Sequence, residues 1–376
     1  MYWHLDEDQR FLVEAARDYA RAELIAKDRV WDATEQSLGD ELPSLAEMGF
    51  MNMRVREEYG GLGCSMVVYS RILHELAYAS PSVSVTLSVH NMVGEVLQKY
   101  GSEELRRQML PDWGKAESLG TFAISEADAG SDPSSIQTRA ELKGDYYVLD
   151  GAKMWITNAL SGRWFMTLAR TGEGKKGICA FWVDGNDPGV ERLEIKGKTG
   201  IRGSETAALH YTQVKVPRAW LLGEDGQGLE IALAALDGGR IGIASQATGI
   251  MEACLDEMTS YAKQRVQFGH PIAERQAIQF MIADSAVELE AARALTLHAA
   301  RLRDSGEPYT QAAAKAKLFA SEAANRVAYR AVQVHGGAGY VNETRVERLA
   351  RDARVTTIYE GTSEIQRVVI GRGLKG

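Results

Sequence analysis

The chain has 376 residues, 45% of them apolar and 25% charged, with 43 basic against 51 acidic side chains and a net charge of −8. This is the composition of an ordinary globular protein, long enough for two or three domains. The acidic balance argues against a nucleic-acid binder that relies on global charge. No apolar run is long enough for a membrane-spanning helix. The acidic start MYWHLDEDQR, without an apolar stretch, predicts no signal peptide. The three widely spaced cysteines, Cys64, Cys179 and Cys254, exclude a disulfide framework and predict reduced thiols in the cytoplasm.

Residues 1–118 read as a helical domain. Leu5 to Trp31 is rich in Ala, Glu and Arg. A short helix opens at Pro43 and stops at Gly49, and two apolar helices follow over 66–79 and 83–99. Ser102 then caps another, with Glu103 and Glu104 in its first turn. Residues 119–225 read as a β domain. The runs 121–124, 146–149, 165–168, 178–183 and 209–216 are rich in β-branched and aromatic residues, with turn signals between them. Strands in series without intervening helices predict an antiparallel barrel or sandwich. Residues 226–376 return to helix, broken at Asp304–Pro308 and at Gly336–Gly339. The class is α+β, mostly α.

Two GxGxxG spellings, 172–177 and 371–376, fail as dinucleotide fingerprints because neither links a strand to a helix. Four other segments carry candidate chemistry. In Phe122–Asp132 a strand runs into small residues with hydroxyls at Ser125 and Ser131, where backbone can approach phosphate or a heterocycle edge. Trp155–Asn158 offers a π surface and a hydroxyl. Arg265–Gly269, followed by Gln276, offers a guanidinium for pyrophosphate and a phenyl ring at Phe268. In Tyr359–Gln366, Ser363 and Gln366 fit a capping box, and Glu360 precedes the helix start, where the helix dipole favours a charged carboxylate. Taken alone, each has a plainer reading: a hairpin connection, a core tryptophan, a helix-end arginine and a helix-start acid.

Together these segments resemble the acyl-CoA dehydrogenase family over essentially the whole chain. FAISEADAGSD (122–132), KMWITN (153–158), RVQFG (265–269), QVHGG (333–337) and IYEGTSEIQR (358–367) stand in the family's order. The resemblance implies a helical domain, a β-barrel-like middle domain and a C-terminal four-helix bundle, assembled as a homotetramer with FAD at subunit interfaces. It implies flavin contacts from Phe122, Ile124, Ser125, Gly130 and Ser131, from Trp155, Ile156 and Thr157, and from Thr362, Ser363 and Glu364. Arg265 and Gln276, with Gln333, Val334, Gly336 and Gly337, would reach FAD from a neighbouring subunit, and Phe268 would pack on its adenine or flavin ring. Ser131, Asp237, Arg240, Tyr359 and Gly361 would meet the acyl-CoA, Arg240 along the CoA moiety.

Family members carry the catalytic base either in the YEGTSE-like loop or just before the arginine matched by Arg240. This chain has Glu360 in the loop and Gly239 before Arg240. It therefore resembles the short-, medium- and short-branched-chain pattern. Ala127–Asp128 departs from the Pro-Gly of many relatives. The implied reaction is α,β-dehydrogenation of an acyl-CoA to a trans-2-enoyl-CoA, with electrons passing to an electron-transfer flavoprotein. An acyl-CoA oxidase, a glutaryl-type dehydrogenase and a flavin-free scaffold are the alternatives. Val83 stands where a glutaryl enzyme would need arginine. No metal site is expected from seven scattered histidines.

Overall fold

A computed structural model describes residues 5–374. The chain opens with α1 (Glu7–Tyr19), whose Asp6 and Gln9 form a reciprocal cap. It continues through a π-helical turn over Ala20–Leu24 into α2 (Ile25–Thr34). The short α3 (Leu42–Glu47) carries Pro43 in its first turn, where a missing N–H costs nothing. Helix α4 (Met66–Ala79) is capped by Ser65. Helix α5 (Pro81–Tyr100) is capped by Ser80, so it starts two residues before the expected 83. Ser102 caps α6 (Glu103–Met109), as its sequence implies.

The sheet comprises β1 (Gly120–Ala123), β2 (Arg139–Lys143), β3 (Tyr146–Thr157), β4 (Trp164–Arg170), β5 (Ile178–Asp184), β6 (Val190–Glu194), β7 (Thr206–Pro217) and β8 (Leu221–Leu222). Its order is β6-β7-β3-β2-β4-β5-β8, with β1 beside β4. The expected antiparallel arrangement holds for most pairs, but β1 and β2 both run parallel to β4. Strand β1 arrives from the helical segment rather than through a hairpin, so no tight turn dictates its direction. Strands β2 and β6 are not among the strands that the sequence predicts. Their sequences, RAELK and VERLE, leave most side chains exposed and give little apolar signal.

The C-terminal part contains α7 (Gly228–Gln264), a small hairpin of β9 (Val266–Gln267) and β10 (His270–Pro271), α8 (Gln276–Asp304) and α9 (Thr310–His335). Two shorter helices, α10 (Arg345–Val355) and α11 (Ser363–Gly373), close it. Buried alanines on α7 and α9, among them Ala244, Ala247, Ala316 and Ala320, let these helices approach closely and join the main core. Helices α4 and α5 pack on the same core, so the start of the chain and its end share one apolar interior. Among the described residues no helix is long and apolar enough to cross a membrane.

Candidate active site

The loop between α10 and α11 holds Glu360 in a left-handed backbone conformation, φ 55°, followed by Gly361 at φ 88°. A non-glycine residue there is strained by roughly 1–3 kcal/mol, and its surroundings must hold it. Gln366 supplies one hold, its amide nitrogen donating to the carbonyls of Glu360 (3.2 Å) and Gly361 (2.9 Å). Lys317 on α9 donates to the Gly361 carbonyl at 2.7 Å. The Tyr359 hydroxyl bonds the Gln246 side chain on α7, and Gln246 in turn donates to the Pro81 carbonyl at 2.8 Å. The expected Ser363–Gln366 capping box is corrected. Thr362 is the cap, accepting from the Ile365 amide at 3.3 Å, because extended backbone at 362 brings its hydroxyl over the first turn. Gln366 is thereby freed to bond the loop.

Glu360 is half-buried, and its Oε2 has no hydrogen-bond partner among the described residues. Burial pushes its pKa up to about 7, against the opposing charges of Arg240 and Lys317. Desolvation here outweighs the neighbouring cations. A Cβ built at Gly239 would stand 3.0 Å from the Glu360 Cδ, so the carboxylate lies directly against that backbone. One turn of α7 thus carries both Gly239 and Arg240 at the site. Arg240 is buried and paired with Asp237, which also accepts from Thr310 at 2.5 Å. Orphaned buried polar atoms gather here: Arg240 Nε, Glu360 Oε2, Ser363 Oγ and Gln366 Oε1. Such a cluster suits a polar ligand.

On the sheet side, the Met154 amide donates to the Ser125 carbonyl at 2.9 Å. Buried Lys153 reaches the Ile124 carbonyl (3.1 Å) and Glu126 (2.8 Å). These bonds tie the Phe122–Ser131 segment to β3. A register irregularity between Lys153 and Ile156 puts Trp155 at φ 63°. Trp155 is 64% exposed, which overturns the core-tryptophan alternative. An exposed indole beside Ser125 and Thr157 fits a flat heterocycle such as a flavin. Phe122 and Tyr359 pack into one apolar cluster with Val85, Val89 and Ile201, which brings sheet and base loop together. Ile124, Ile156 and Val334 are buried in cores, while Gly130, Ser131 and Glu364 are exposed.

The remaining predicted residues lie elsewhere on the chain. Arg265 ends α7, Phe268 is 91% exposed on the β9–β10 turn, and Gln276 opens α8 on the surface. Gln333, Gly336 and Gly337 are exposed at the end of α9, where His335 stacks on Tyr261 of α7. Among the described residues, no hydrogen bond joins the side chains of Arg265 or Gln276 to either half of the site. Sequence reasoning missed Gln246, Lys317 and Gln366 as supports of the loop. Lys317 had a signal: it interrupts the buried face Ala313, Ala316, Ala320, Ala324.

Family models for the N-terminal, middle and C-terminal domains of acyl-CoA dehydrogenases match residues 6–117, 121–214 and 226–375. The chain belongs to the acyl-CoA dehydrogenase family. It is an oxidoreductase, and the members of this family are FAD-dependent. It is 43% identical to the mitochondrial short-chain specific acyl-CoA dehydrogenase of Bos taurus, over 97% of this chain and 90% of that one. The butyryl-CoA dehydrogenase of Megasphaera elsdenii superposes with a TM-score of 0.97 at 37% identity, covering 100% of both chains. A chain from a structure described as the electron transferring flavoprotein of Acidaminococcus fermentans gives a TM-score of 0.97 at 39% identity, covering 100% of this chain and 99% of that one.

Proposed function

We propose that this acyl-CoA dehydrogenase converts a short-chain acyl-CoA to the trans-2-enoyl-CoA, with Glu360 removing the α-proton. The observation that carries this reading is the Glu360 carboxyl, orphaned at Oε2 and raised to about 7, where it titrates near working pH. FAD is the cofactor, and when bound it supplies the acceptor for the β-hydride. Phe122–Ser131, Trp155–Thr157 and Thr362–Glu364 would hold it from this chain. Arg265, Phe268, Gln276 and the 333–337 segment would hold it from a neighbouring copy, in a homotetramer. Their exposure, away from Trp155 and Glu360, supports contact across an interface.

Arg240, with Asp237, Gly361 and Ser131, would meet the CoA thioester. Tyr359 would border the acyl chain. The backbone N–H of Glu360 would polarise the thioester carbonyl, lowering the cost of the developing enolate. Gly239 supports the base assignment independently. It is the family's other base position, and a Cβ there meets the same carboxylate. The short-chain preference is supported by the names of the bovine and Megasphaera relatives, and medium or branched chains are weaker candidates. The Acidaminococcus relative supports an electron-transfer flavoprotein as redox partner. Fatty-acid β-oxidation and a cytoplasmic location belong to the same reading, the latter supported by three buried, unpaired cysteines. Three domains, 1–118, 119–225 and 226–376, complete it; the first four and last two residues lie outside the described chain.

The test is anaerobic titration of the yellow holoenzyme with acyl-CoAs from butyryl to palmitoyl. Butyryl-CoA should bleach the flavin fastest and yield crotonyl-CoA. The bleached protein should reoxidise slowly in air and quickly with electron-transfer flavoprotein. Fast reoxidation in air would favour the oxidase alternative.

A further inference from the structure

Beneath the base loop lies a lysine that the mechanism above does not use. Lys317 is 0% exposed, on a buried face of α9 made mostly of alanine. Lysine is almost never fully buried unless something holds its ammonium. Here Nζ donates to the Gly361 carbonyl at 2.7 Å, and among the described residues no carboxylate forms an ion pair with it. The other cation facing Glu360 is differently placed, because Arg240 is already paired with Asp237. Lys317 therefore directs its charge at the loop itself. The charged groups around it are Glu360 in the loop, Arg240 on α7, Glu322 on α9 and Glu364 on α11.

We propose that Lys317 is the positioning residue of the base: its ammonium grips the Gly361 carbonyl, fixing the left-handed backbone of Glu360, and its charge favours the carboxylate form of Glu360 over the carboxylic acid. The inference rests on Glu360 being the base. Two further facts agree with it. Burial lowers Lys317 to about 8 against the pull of Glu360, so it remains mostly protonated at neutral pH. Glu360, raised by burial to about 7, is held from rising further by Arg240 and Lys317. Gln366 bonds the same carbonyl but carries no charge, so it can share the grip and not the electrostatic role.

The experiment compares flavin-loaded wild type, Lys317→Met, Lys317→Gln, Lys317→Arg and Glu360→Gln. Each is mixed anaerobically with butyryl-CoA, and the rate of flavin bleaching is followed from about pH 5.5 to about 9. Lys317→Met and Lys317→Gln should move the rising limb upward by about one pH unit. At pH 7 the carboxylate fraction then drops from about a half to about a tenth, so bleaching slows roughly fivefold and recovers as the pH rises. Lys317→Arg, which keeps the charge, should keep the limb near its wild-type position. A purely structural role would slow bleaching equally at every pH. Should Lys317→Met fail to retain flavin, the polar Lys317→Gln decides. A flavin-loaded Lys317→Gln with the wild-type limb, beside an inactive Glu360→Gln, overturns the inference alone. A Glu360→Gln that bleaches at the wild-type rate overturns the base assignment and the role of Lys317 with it.

Discussion

Gly239→Ala should slow the chemical step without weakening the fold. The new Cβ would lie 3.0 Å from Glu360 Cδ and 3.2 Å from Oε1, and closer still to Oε2. Ordinary contacts begin near 3.4 Å, so the groups must part by roughly 0.5–1 Å. The carboxyl is the far end of a flexible side chain, whereas Gly239 sits in the 37-residue α7. The displacement therefore falls on the base. Misplacing a catalytic group by about 1 Å can cost on the order of 10²-fold, and a loss of roughly 10- to 100-fold is expected. Alanine is favoured over glycine in a helix by roughly 0.5–1 kcal/mol, so stability should hold or rise. The assay pairs stopped-flow flavin bleaching by butyryl-CoA with thermal denaturation of the same holoenzyme. Wild-type bleaching in a folded Gly239→Ala protein would refute the placement of Glu360 against α7. A large loss of stability would show that the backbone, and not the carboxyl, had moved.

Arg240→Ala should raise KM and also shift the rising limb of the kcat/KM pH profile above about 7, because Arg240 is the larger of the two charges that lower Glu360; an unchanged pH profile would separate the arginine from the base. The sign follows from a raised carboxyl pKa: the active carboxylate is lost as pH falls through about 7. Thr362→Ala removes the α11 cap and should cost about 1 kcal/mol in denaturant unfolding, with Thr362→Ser restoring most of it. Dilution should release FAD in step with dissociation of the proposed tetramer, followed by light scattering and flavin absorbance; a monomer with full FAD would contradict cofactor sites shared between copies.

The helical–β–helical order is legible in the sequence because serine caps and length mark α4 and α5, while a short run rich in β-branched and aromatic residues marks β5. Strands β2 and β6 are hidden because charged residues cover their exposed positions. The parallel neighbours of β4 are invisible because direction is set by long-range pairing. At the site, Glu360 and Arg240 stand out through motif spelling, but their meeting needs segments far apart in the chain to pack together. The capping residue is misplaced by one position, because Thr362 and Ser363 offer equivalent hydroxyls and only the turn at Gly361 decides between them. Gln246 and Gln366 give no warning, since a glutamine reveals nothing until its partners are placed. Lys317 does break an alanine face, a pattern that the helical periodicity of α9 exposes by itself.

The central claim is that Glu360 is the proton acceptor, and Glu360→Gln tests it most directly. Glutamine is nearly isosteric and keeps the backbone N–H, but cannot take the α-proton. With FAD bound and butyryl-CoA binding intact, anaerobic bleaching in a stopped-flow cell should fall by at least about 10²–10⁴-fold. Glu360→Asp should lie between that variant and wild type, because it keeps a base withdrawn by one methylene. A Glu360→Gln enzyme that bleaches its flavin at the wild-type rate would contradict the account, and Asp237 would then be the first carboxylate to test.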